Sequence, residues 1–282
     1  MKLGTIKEIW RYPVKGMAGE SVERCGIGAW GLEGDRVWAL RDTAREEIQS
    51  CKFRPELLLC NASSRSGEDD GHVDVQFPGG DTLGSDDAAI HDRLSALVGQ
   101  ESTLEMLRPL EELNFYRRYK RGEQTWLEEL KATFAREPGE PYPDLEGMPQ
   151  QGQDFVTIPG TFFLVSPLHI VTTATMEHLK GLLPGADWDM RRFRPNIVIE
   201  TVTDDGLVEQ GWLGKQIVIG EALVECAETA PRCGAVTRRQ RDFEFDASML
   251  RTIVTEADQN LGIYGNFRRA GTLRVGDPVY AA

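Results

Sequence analysis

The sequence is poor in cysteine: 282 residues contain five, at positions 25, 51, 60, 226 and 233, and no two have Cys-x-x-Cys spacing. Such an odd, scattered set does not suit a disulfide framework or a cysteine-based zinc knuckle. It also cannot supply the four closely placed thiolates of an iron–sulfur cluster. Reduced thiols, an N-terminus without a signal-peptide core and the lack of a long apolar run together predict a cytoplasmic protein with no membrane partner.

Basic residues are also in short supply. There are 32 Lys and Arg against 45 Asp and Glu, which gives a formal net charge of −13. Sequence-independent binding of nucleic acid needs a basic face that displaces counterions, so we expect no nucleic-acid partner. A polybasic membrane surface is excluded in the same way. Net charge describes the whole molecule, however, and a local basic pocket stays compatible with it.

Several common catalytic signatures are absent. The chain contains no G-x-x-x-x-G-K-[ST], G-x-S-x-G or H-E-x-x-H string, which removes the usual marks of P-loop, α/β-hydrolase and zincin chemistry. The string GIGAWG at 26–31 has G-x-G-x-x-G spacing, but Gly34 and β-forming residues follow it where a dinucleotide site needs a helix. It is interpreted as a turn.

What is present is mostly β-pattern. Strands are predicted at 5–14, 36–41, 57–61 and 73–77, with a polar hairpin loop at 63–71 and a helix near 90–97. A helical signal at 111–136 precedes 137–153, where four prolines favour an extended linker. Beyond it, strands at 155–165 and 196–200, a hairpin around Gly220, helices at 172–183 and 246–258, and a turn at Gly276–Asp277 are predicted. The fold class is therefore α+β, predominantly β and built on a β-barrel. The predicted units are 1–100, 101–153 and 154–282.

Two strings carry candidate chemistry. Cys233 follows a predicted strand in TAPRCGAVT, and the adjacent Arg232 would favour its thiolate, which is the reactive, metal-binding form. A small buried hydrophobic residue is the competing interpretation. RRFRPN at 191–196 places three arginines within four residues. Arginine forks hold phosphate bidentately, although a solvated strand entry with surface ion pairs explains them equally well.

Taken in order, several strings resemble those of the MOSC family over nearly the whole chain. YPVKGM and GLEGDRVW resemble its N-terminal β-barrel domain. PGTFFLVSPLHIVTTATMEHL, RFRPNIVIE, GWLGKQIVIG, RCGAVTRRQ, LGIYGNF and GTLRVGDPVY resemble successive blocks of the MOSC domain itself.

The resemblance implies a molybdenum cofactor, molybdopterin, with Cys233 as the metal ligand and catalytic residue. The other positions that it implies for cofactor binding supply cations, amides or hydroxyls to the phosphate-bearing pterin: Lys15, Arg36, Lys52, Thr172, Thr173, Arg192, Arg194, Asn196, Arg232 and Thr237. Lys52 stands where the family has arginine, which keeps the charge but loses the fork. If the cofactor interpretation is right, Lys15, Arg36, Arg194 and Cys233 must meet in one cleft.

The activity implied is an oxidoreductase that reduces N-hydroxylated or N-oxygenated small molecules. Its electrons would come from a separate ferredoxin- or cytochrome-type protein. Two alternatives stay open. In one, Cys233 carries a persulfide for metal-cofactor sulfuration. In the other, the chain is a cofactor-binding module without turnover, because Leu164, Arg238 and Arg239 stand where relatives often have acids.

Overall fold

The architecture is taken from a computed structural model, which describes residues 1–28, 30–65, 71–120, 125–203 and 206–282. Within those residues, strands are more abundant than helices. The strands, in chain order, are β1 Lys2–Arg11, β2 Glu20–Ser21, β3 Arg24–Gly28, β4 Gly31–Leu32, β5 Trp38–Asp42, β6 Glu47–Ile48, β7 Asn61–Ser64, β8 Val73–Gln76, β9 Thr82–Gly84, β10 Ser102–Met106, β11 Leu168–Thr172, β12 Ile197–Thr201, β13 Gln216–Ile219, β14 Ala222–Pro231, β15 Asn260–Arg269, β16 Thr272–Arg274 and β17 Pro278–Ala281.

Helices are fewer than strands in the same described residues. The α-helices are α1 Ala89–Val98, α2 Thr125–Ala132, α3 Gln150–Asp154, α4 Thr173–Leu182 and α5 Ser248–Glu256. Short 3-10 helices lie at Pro55–Leu59, Leu113–Tyr116, Met190–Phe193, Val208–Trp212 and Gly234–Thr237. None of the helices in the described ranges is long and apolar enough to cross a bilayer.

Seven strands close into a barrel. The order β12-β11-β15-β14-β13-β17-β1 returns to β12, because β1 pairs with both β17 and β12. β11 and β12 are parallel and α4 crosses between them, whereas the other neighbours are antiparallel. Closure leaves no strand edge unpaired, which stabilises a sheet of this kind. The fold is thus the predominantly β, barrel-based α+β class that the sequence predicted.

The first strand of the chain completes a barrel whose other strands all come from residues 168–281. Its register with β12 shifts between Ile6 and Glu8. This bulge changes the alternation of side chains, so that Ile6 and Ile9, three residues apart, both point into the core and are only 1% exposed. The predicted unit 1–100 therefore contributes its first ten residues to the barrel, while the unit boundaries themselves stay a prediction.

Most other strands of the N-terminal region form small sheets. The sheet of β3, β4 and β16 packs on the barrel core through Cys25, Ile27 and Leu32, whereas the other two sheets surround a separate core. β5 pairs with β6 and β10, β8 pairs with β7 and β9, and β3 pairs with β4 and β16. The buried side chains of this second core include Met17, Leu40, Val75 and Leu94. A third core packs α4 and α5 against the outside of the barrel. The cleft described below lies where the barrel, the N-terminal region and the segment between them meet.

Most sequence-based predictions of secondary structure are confirmed and two are wrong. A third, the extended linker at 137–153, is wrong at its end, where residues 150–153 belong to α3. The strands near 5–14, 73–77 and 196–200, the Gly220 hairpin, the turn at Gly276–Asp277 and helices near 90–97, 172–183 and 246–258 are present. Residues 57–59 belong to a 3-10 helix, because Pro55 starts one and lacks a ladder donor. Residues 155–165 contain no strand; Pro159 and Gly160 interrupt the apolar run with a turn.

Three further predictions fall partly outside the described residues. The turn predicted at 26–31 includes Ala29. The hairpin loop at 63–71 includes 66–70, and the helical signal at 111–136 includes Gly122 within 121–124. On either side of these gaps, β7 pairs with β8 in antiparallel register, and α2 occupies the second half of the predicted helical stretch.

Replacement of Ile6 by alanine should destabilise the whole barrel. The side chain is buried at the closing strand, and a large-to-small change in a core costs about 2–5 kcal/mol. Urea unfolding followed by tryptophan fluorescence measures the free energy of unfolding. Lys7→Ala, on the exposed side of the same strand, is the control and should change it by less than about 0.5 kcal/mol. Equal effects of the two substitutions would contradict the closure of the barrel by β1.

Candidate cofactor-binding cleft

A cleft of about 560 Å³ lies beside one end of the barrel. Its walls come from three parts of the chain: the N-terminal region, the segment 118–158, and the barrel with its loops. Of the residues singled out from the sequence, it is lined by Arg36, Lys52, Arg192, Arg194, Arg232 and Cys233. Five of these six side chains are cationic, in a chain whose net charge is −13.

Two of these cations share one aromatic ring. The guanidinium carbons of Arg194 and Arg36 lie 4.2 Å and 5.2 Å from the centroid of the Tyr12 ring. Both arginines have left-handed backbones, with φ of 56° and 52°, a conformation that is costly for residues other than glycine. The strain is held by the surrounding structure: the Tyr12 hydroxyl donates to the carbonyl of Pro195 at 3.0 Å, and Arg194 donates to the carbonyl of Met17.

Asp35 fixes the position of Arg36 and of Asn196. Its carboxylate accepts hydrogen bonds from the Tyr12 amide at 2.7 Å, from Asn196 Nδ2 at 3.0 Å and from Arg36. Asn196 is 1% exposed and lies behind the cleft rather than in its wall. Its side chain also accepts from the amide of His169 at 3.2 Å. Asn196 thus joins β1 to the RRFRPN turn.

Lys15 lies beneath the cationic wall. Its Nζ donates to the carbonyl of Phe162 at 2.7 Å, and the residue is 8% exposed. Burial, reinforced by the charges of Arg36, Lys52 and Arg194, lowers the pKa of Lys15 to about 7. The Lys15 side chain therefore changes between the ammonium and the neutral amine near neutral pH. It is close enough to Arg36 and Arg194 for their charges to act on it, although it does not itself line the cleft.

The other cations are held mainly by neutral groups. Lys52 lies 5.1 Å from the centroid of the Phe134 ring. Arg232 is 6% exposed and donates to the carbonyls of Ala230 and Phe193 and to the Tyr264 hydroxyl, at 2.9 to 3.2 Å. Among the residues that the structure describes, no carboxylate lies within 4 Å of Lys15, Lys52, Arg194 or Arg232. Their positive charge is left for an anion from outside the chain.

Some buried polar atoms at the cleft lack a partner within the described chain. They are Arg192 Nη1, Thr157 Oγ1 and Arg118 Nε. Arg192 is 3% exposed, and burial lowers its pKa. A buried donor without an acceptor is costly, and an oxygen-rich anion in the cleft would satisfy such donors. These orphaned donors, together with the unpaired cations, fit a phosphate-bearing group.

Cys233 stands at the wall between the cationic and the apolar sides of the cleft. It follows β14 directly and precedes the 3-10 helix at Gly234–Thr237, and its side chain is half-buried. One flank of the thiol packs against the cluster that contains Leu130, Phe134 and Leu145. A half-buried thiol beside arginines is accessible to a soft metal and suited to bind one.

Thr172, Thr173 and Thr237 do not line this cleft. Thr172 caps α4, and its hydroxyl donates to Oε2 of the buried Glu209 at 2.6 Å. The carboxyl group of Glu209 therefore lies at the N-terminus of α4, where an external anion was expected. Burial raises the pKa of Glu209. Thr173 accepts from the amide of Thr201, and Thr237 donates to the carbonyl of Gly234 at 2.8 Å. Their contact with a cofactor stays a prediction that this arrangement does not favour.

The cleft also contains residues that sequence reasoning did not single out. Cys51 lines it beside Lys52, and burial raises the pKa of this thiol while the charge of Arg194 lowers it. His169 and Tyr264 line it from the barrel. Burial, reinforced by the charge of Arg232, lowers the pKa of His169 well below its usual value, so the ring is neutral near pH 7. Two of the missed residues, Asp35 and Cys51, stand directly before Arg36 and Lys52 in the sequence. That adjacency is the sequence signal that could have found them.

Comparison with family models assigns nearly all of this architecture. Residues 3–105 match the model described as the MOSC N-terminal beta barrel domain, and residues 159–280 match the model described as the MOSC domain. Cys233 and the RRFRPN turn lie within the second match, whereas Lys15, Arg36, Cys51 and Lys52 lie within the first.

Among curated proteins, the chain is similar to mitochondrial amidoxime reducing component 2 of several mammals. The human protein is 30% identical over 40% of this chain and 36% of its own length. The cattle protein is 25% identical, over 99% of this chain and 83% of its own length. The chain thus matches only about a third of the human relative. Among solved structures, the YUAD protein of Bacillus subtilis matches with a TM-score of 0.44 and 10% identity, over 98% of this chain and 94% of that chain.

Anion binding in the cleft should weaken as pH rises through the pKa of Lys15. Below about pH 7 the ammonium is charged and adds to the positive potential; above it the lysine is neutral. Sulfate keeps a constant charge in this range and is a suitable probe. If a bound sulfate raises the Lys15 pKa by about one unit, affinity at pH 6 should exceed that at pH 8.5 by about five- to tenfold. Isothermal titration calorimetry measures it. Lys15→Met should bind sulfate with little change over the same range; an equally steep dependence in that variant would contradict the assignment.

Proposed function

Because the chain belongs to the MOSC family, with both the N-terminal barrel domain and the MOSC domain, we propose that it binds a molybdenum cofactor through Cys233. With that cofactor it reduces N-hydroxylated small molecules. The observation that carries the proposal is the single cleft that combines a half-buried thiol with three cations, Lys52, Arg194 and Arg232, that no carboxylate of the described chain neutralises. A pterin dithiolene needs a soft protein ligand for its metal and cationic donors for its phosphate.

The residues of the cleft divide into two roles under this proposal. Cys233 would supply the protein ligand to the metal. Arg36, Lys52, Arg192, Arg194 and Arg232 would hold the anionic part of the cofactor. Asp35 and the Tyr12 ring keep Arg36 and Arg194 oriented before any ligand arrives, which avoids part of the cost of ordering long side chains on binding.

When bound, the cofactor would supply the two-electron transfer that removes the oxygen atom from the substrate nitrogen. The chain would contribute orientation and a partly enclosed cleft. His169 lines the cleft and is neutral at pH 7, so it adds no competing charge there. The electrons would come from a separate protein, since an iron–sulfur cluster needs more clustered thiolates than this sequence contains. Support for reduction comes from the curated relatives, whose name describes amidoxime reduction.

Replacement of Cys233 by serine should remove molybdenum from the protein. Serine keeps the size of the side chain but is a poor ligand for a soft metal. Protein expressed in a cofactor-competent host is assayed for metal by mass spectrometry and for pterin by fluorescence after oxidation. We expect metal content and reductase activity to fall at least about tenfold relative to the wild type. The matched control is Cys51→Ser, which changes the other thiol of the same cleft and should retain the metal. Full metal retention in Cys233→Ser would overturn the proposed ligand.

The same variants separate the reductase from a sulfur carrier. A sulfur carrier would gain 32 Da, the mass of one sulfur atom, at Cys233 after incubation with a cysteine desulfurase and free cysteine. The proposed function predicts no such adduct on the wild-type protein by intact mass spectrometry. An adduct that disappears in Cys233→Ser would favour the carrier. A protein that binds pterin but reduces no N-hydroxylated compound with artificial electron donors would instead be a binding module.

A further inference from the structure

The segment between the two family matches forms a separate apolar layer over Cys233. This segment, here called the strap, comprises α2, the turn after it, an extended stretch and α3, residues 125–154. Its buried side chains Leu130, Phe134 and Leu145 form a small cluster, with Trp126, Leu127 and Met148 packed at its edge. Among the hydrophobic residues that the structure describes outside the strap, Cys233 packs against the same cluster.

Hydrogen bonds attach the strap to several parts of the protein. Beside Cys233, Gly234 N donates to the carbonyl of Thr133 at 2.9 Å, and Arg136 donates to the carbonyl of Arg232 at 3.0 Å. Arg251 of α5 donates to the carbonyl of Ala135 at 2.6 Å and forms an ion pair with Glu140. Arg118, which precedes the strap, donates to the carbonyls of Gly152 and Phe155 at 3.1 and 3.0 Å. The first attachment bonds the residues on both sides of Cys233, so the position of the thiol and that of the strap are linked.

The middle of the strap is held differently. From Tyr142 to Pro149, the hydrogen bonds that the structure describes stay within the strap, such as Gly147 N to Asp144 and Gln153 to the carbonyl of Met148. Leu145 and Met148 are the large apolar side chains of this stretch that line the cleft, next to Pro143, Asp144, Gly147 and Pro149. A segment held by few apolar contacts opens at low free-energy cost compared with a core element. It can therefore adjust to the shape of a bound molecule.

The cleft consequently has two chemically distinct halves that meet at Cys233. One half carries the cations Arg36, Lys52 and Arg194. The other is lined mainly by Phe134, Leu145 and Met148 of the strap, with Asp144 and Gln151 as its polar residues. Leu164 and Val165 extend the apolar half at the rim and are 42% and 40% exposed. Charge complementarity assigns the anionic cofactor to the first half. The second half is left for a neutral, apolar ligand that lies beside Cys233.

We propose that the strap is the substrate-selecting wall of this protein. Leu145 and Met148 bind the apolar body of the substrate and so favour N-hydroxylated compounds with an aromatic or branched apolar group over small polar ones. This inference rests on the proposed function for the reaction, but the apolar site next to Cys233 is a property of the protein without cofactor. It can therefore be tested without turnover.

Thiol alkylation provides that test. N-phenylmaleimide and N-(2-hydroxyethyl)maleimide react with a thiol by the same addition, but only the first has an apolar body. Their rates at Cys233 are followed by peptide mapping in a Cys51→Ser background, with the full chain free of cofactor. We expect a preference for the phenyl reagent, relative to a free thiol peptide, that falls about fivefold in Leu145→Asn and in Met148→Gln. Met148→Gln keeps an unbranched side chain of similar length at a half-buried position, and it protects the test if Leu145→Asn unfolds the strap.

The control is Leu182→Asn, the same chemical change at a residue that is 47% exposed on α4 and outside the cleft. It should leave the preference unchanged. A wild-type protein with no preference, or strap variants that keep it, would overturn the inference.

In cofactor-loaded protein, the strap variants should raise KM for a phenyl-bearing amidoxime about fivefold and leave KM for its methyl analogue unchanged. Their molybdenum content should match the wild type. Wild-type protein that contains no molybdenum cofactor would count against the proposed function. The alkylation result would still test the apolar site.

Discussion

The pairing of β1 with β12 is the interaction on which the site depends. Ile9 lies opposite Ile197 in antiparallel register, and the Trp10 amide donates to the carbonyl of Asn196. Continued past the strand ends, this register brings Tyr12 beside Arg194 and Pro195, where the ring contact and the hydrogen bond are found. The same pairing closes the barrel. Stability and site geometry thus share one set of backbone hydrogen bonds, and a change that opens the barrel also separates the cations.

Burying uncompensated positive charge in an acidic protein is costly, and the structure offsets that cost locally. Arg194, Arg232 and Lys15 donate to backbone carbonyls, and the rings of Tyr12 and Phe134 face Arg194 and Lys52. These neutral partners stabilise the cations without cancelling their charge. Part of the cost remains. It is seen in the lowered pKa of Lys15 and in the strained, left-handed backbones of Arg36 and Arg194. An anion that binds in the cleft would recover much of it.

The strap adds a second physical character to the same space. Its cluster is separate from the barrel core. The strap contacts the rest of the protein through the backbone on both sides of Cys233, through Arg118 and Arg251, and through apolar side chains. Cations on one side and aliphatic groups on the other make the thiol a boundary between two environments.

The sequence by itself determined the fold class, because alternating apolar residues and turn-forming glycines act over a few neighbouring positions; Val73, Val75 and the Gly220 hairpin are examples. It also pointed to Cys233 and to the RRFRPN turn, where the candidate groups are close together along the chain. It misjudged 57–59 and 155–165, where proline outweighs the apolar pattern. Only the tertiary structure decided that β1 closes the barrel, that Glu209 lies at the start of α4, and that Cys51, His169 and the strap lie at the cleft. Those contacts join residues separated by tens to hundreds of positions, and no local pattern encodes which distant partner a buried side chain will meet.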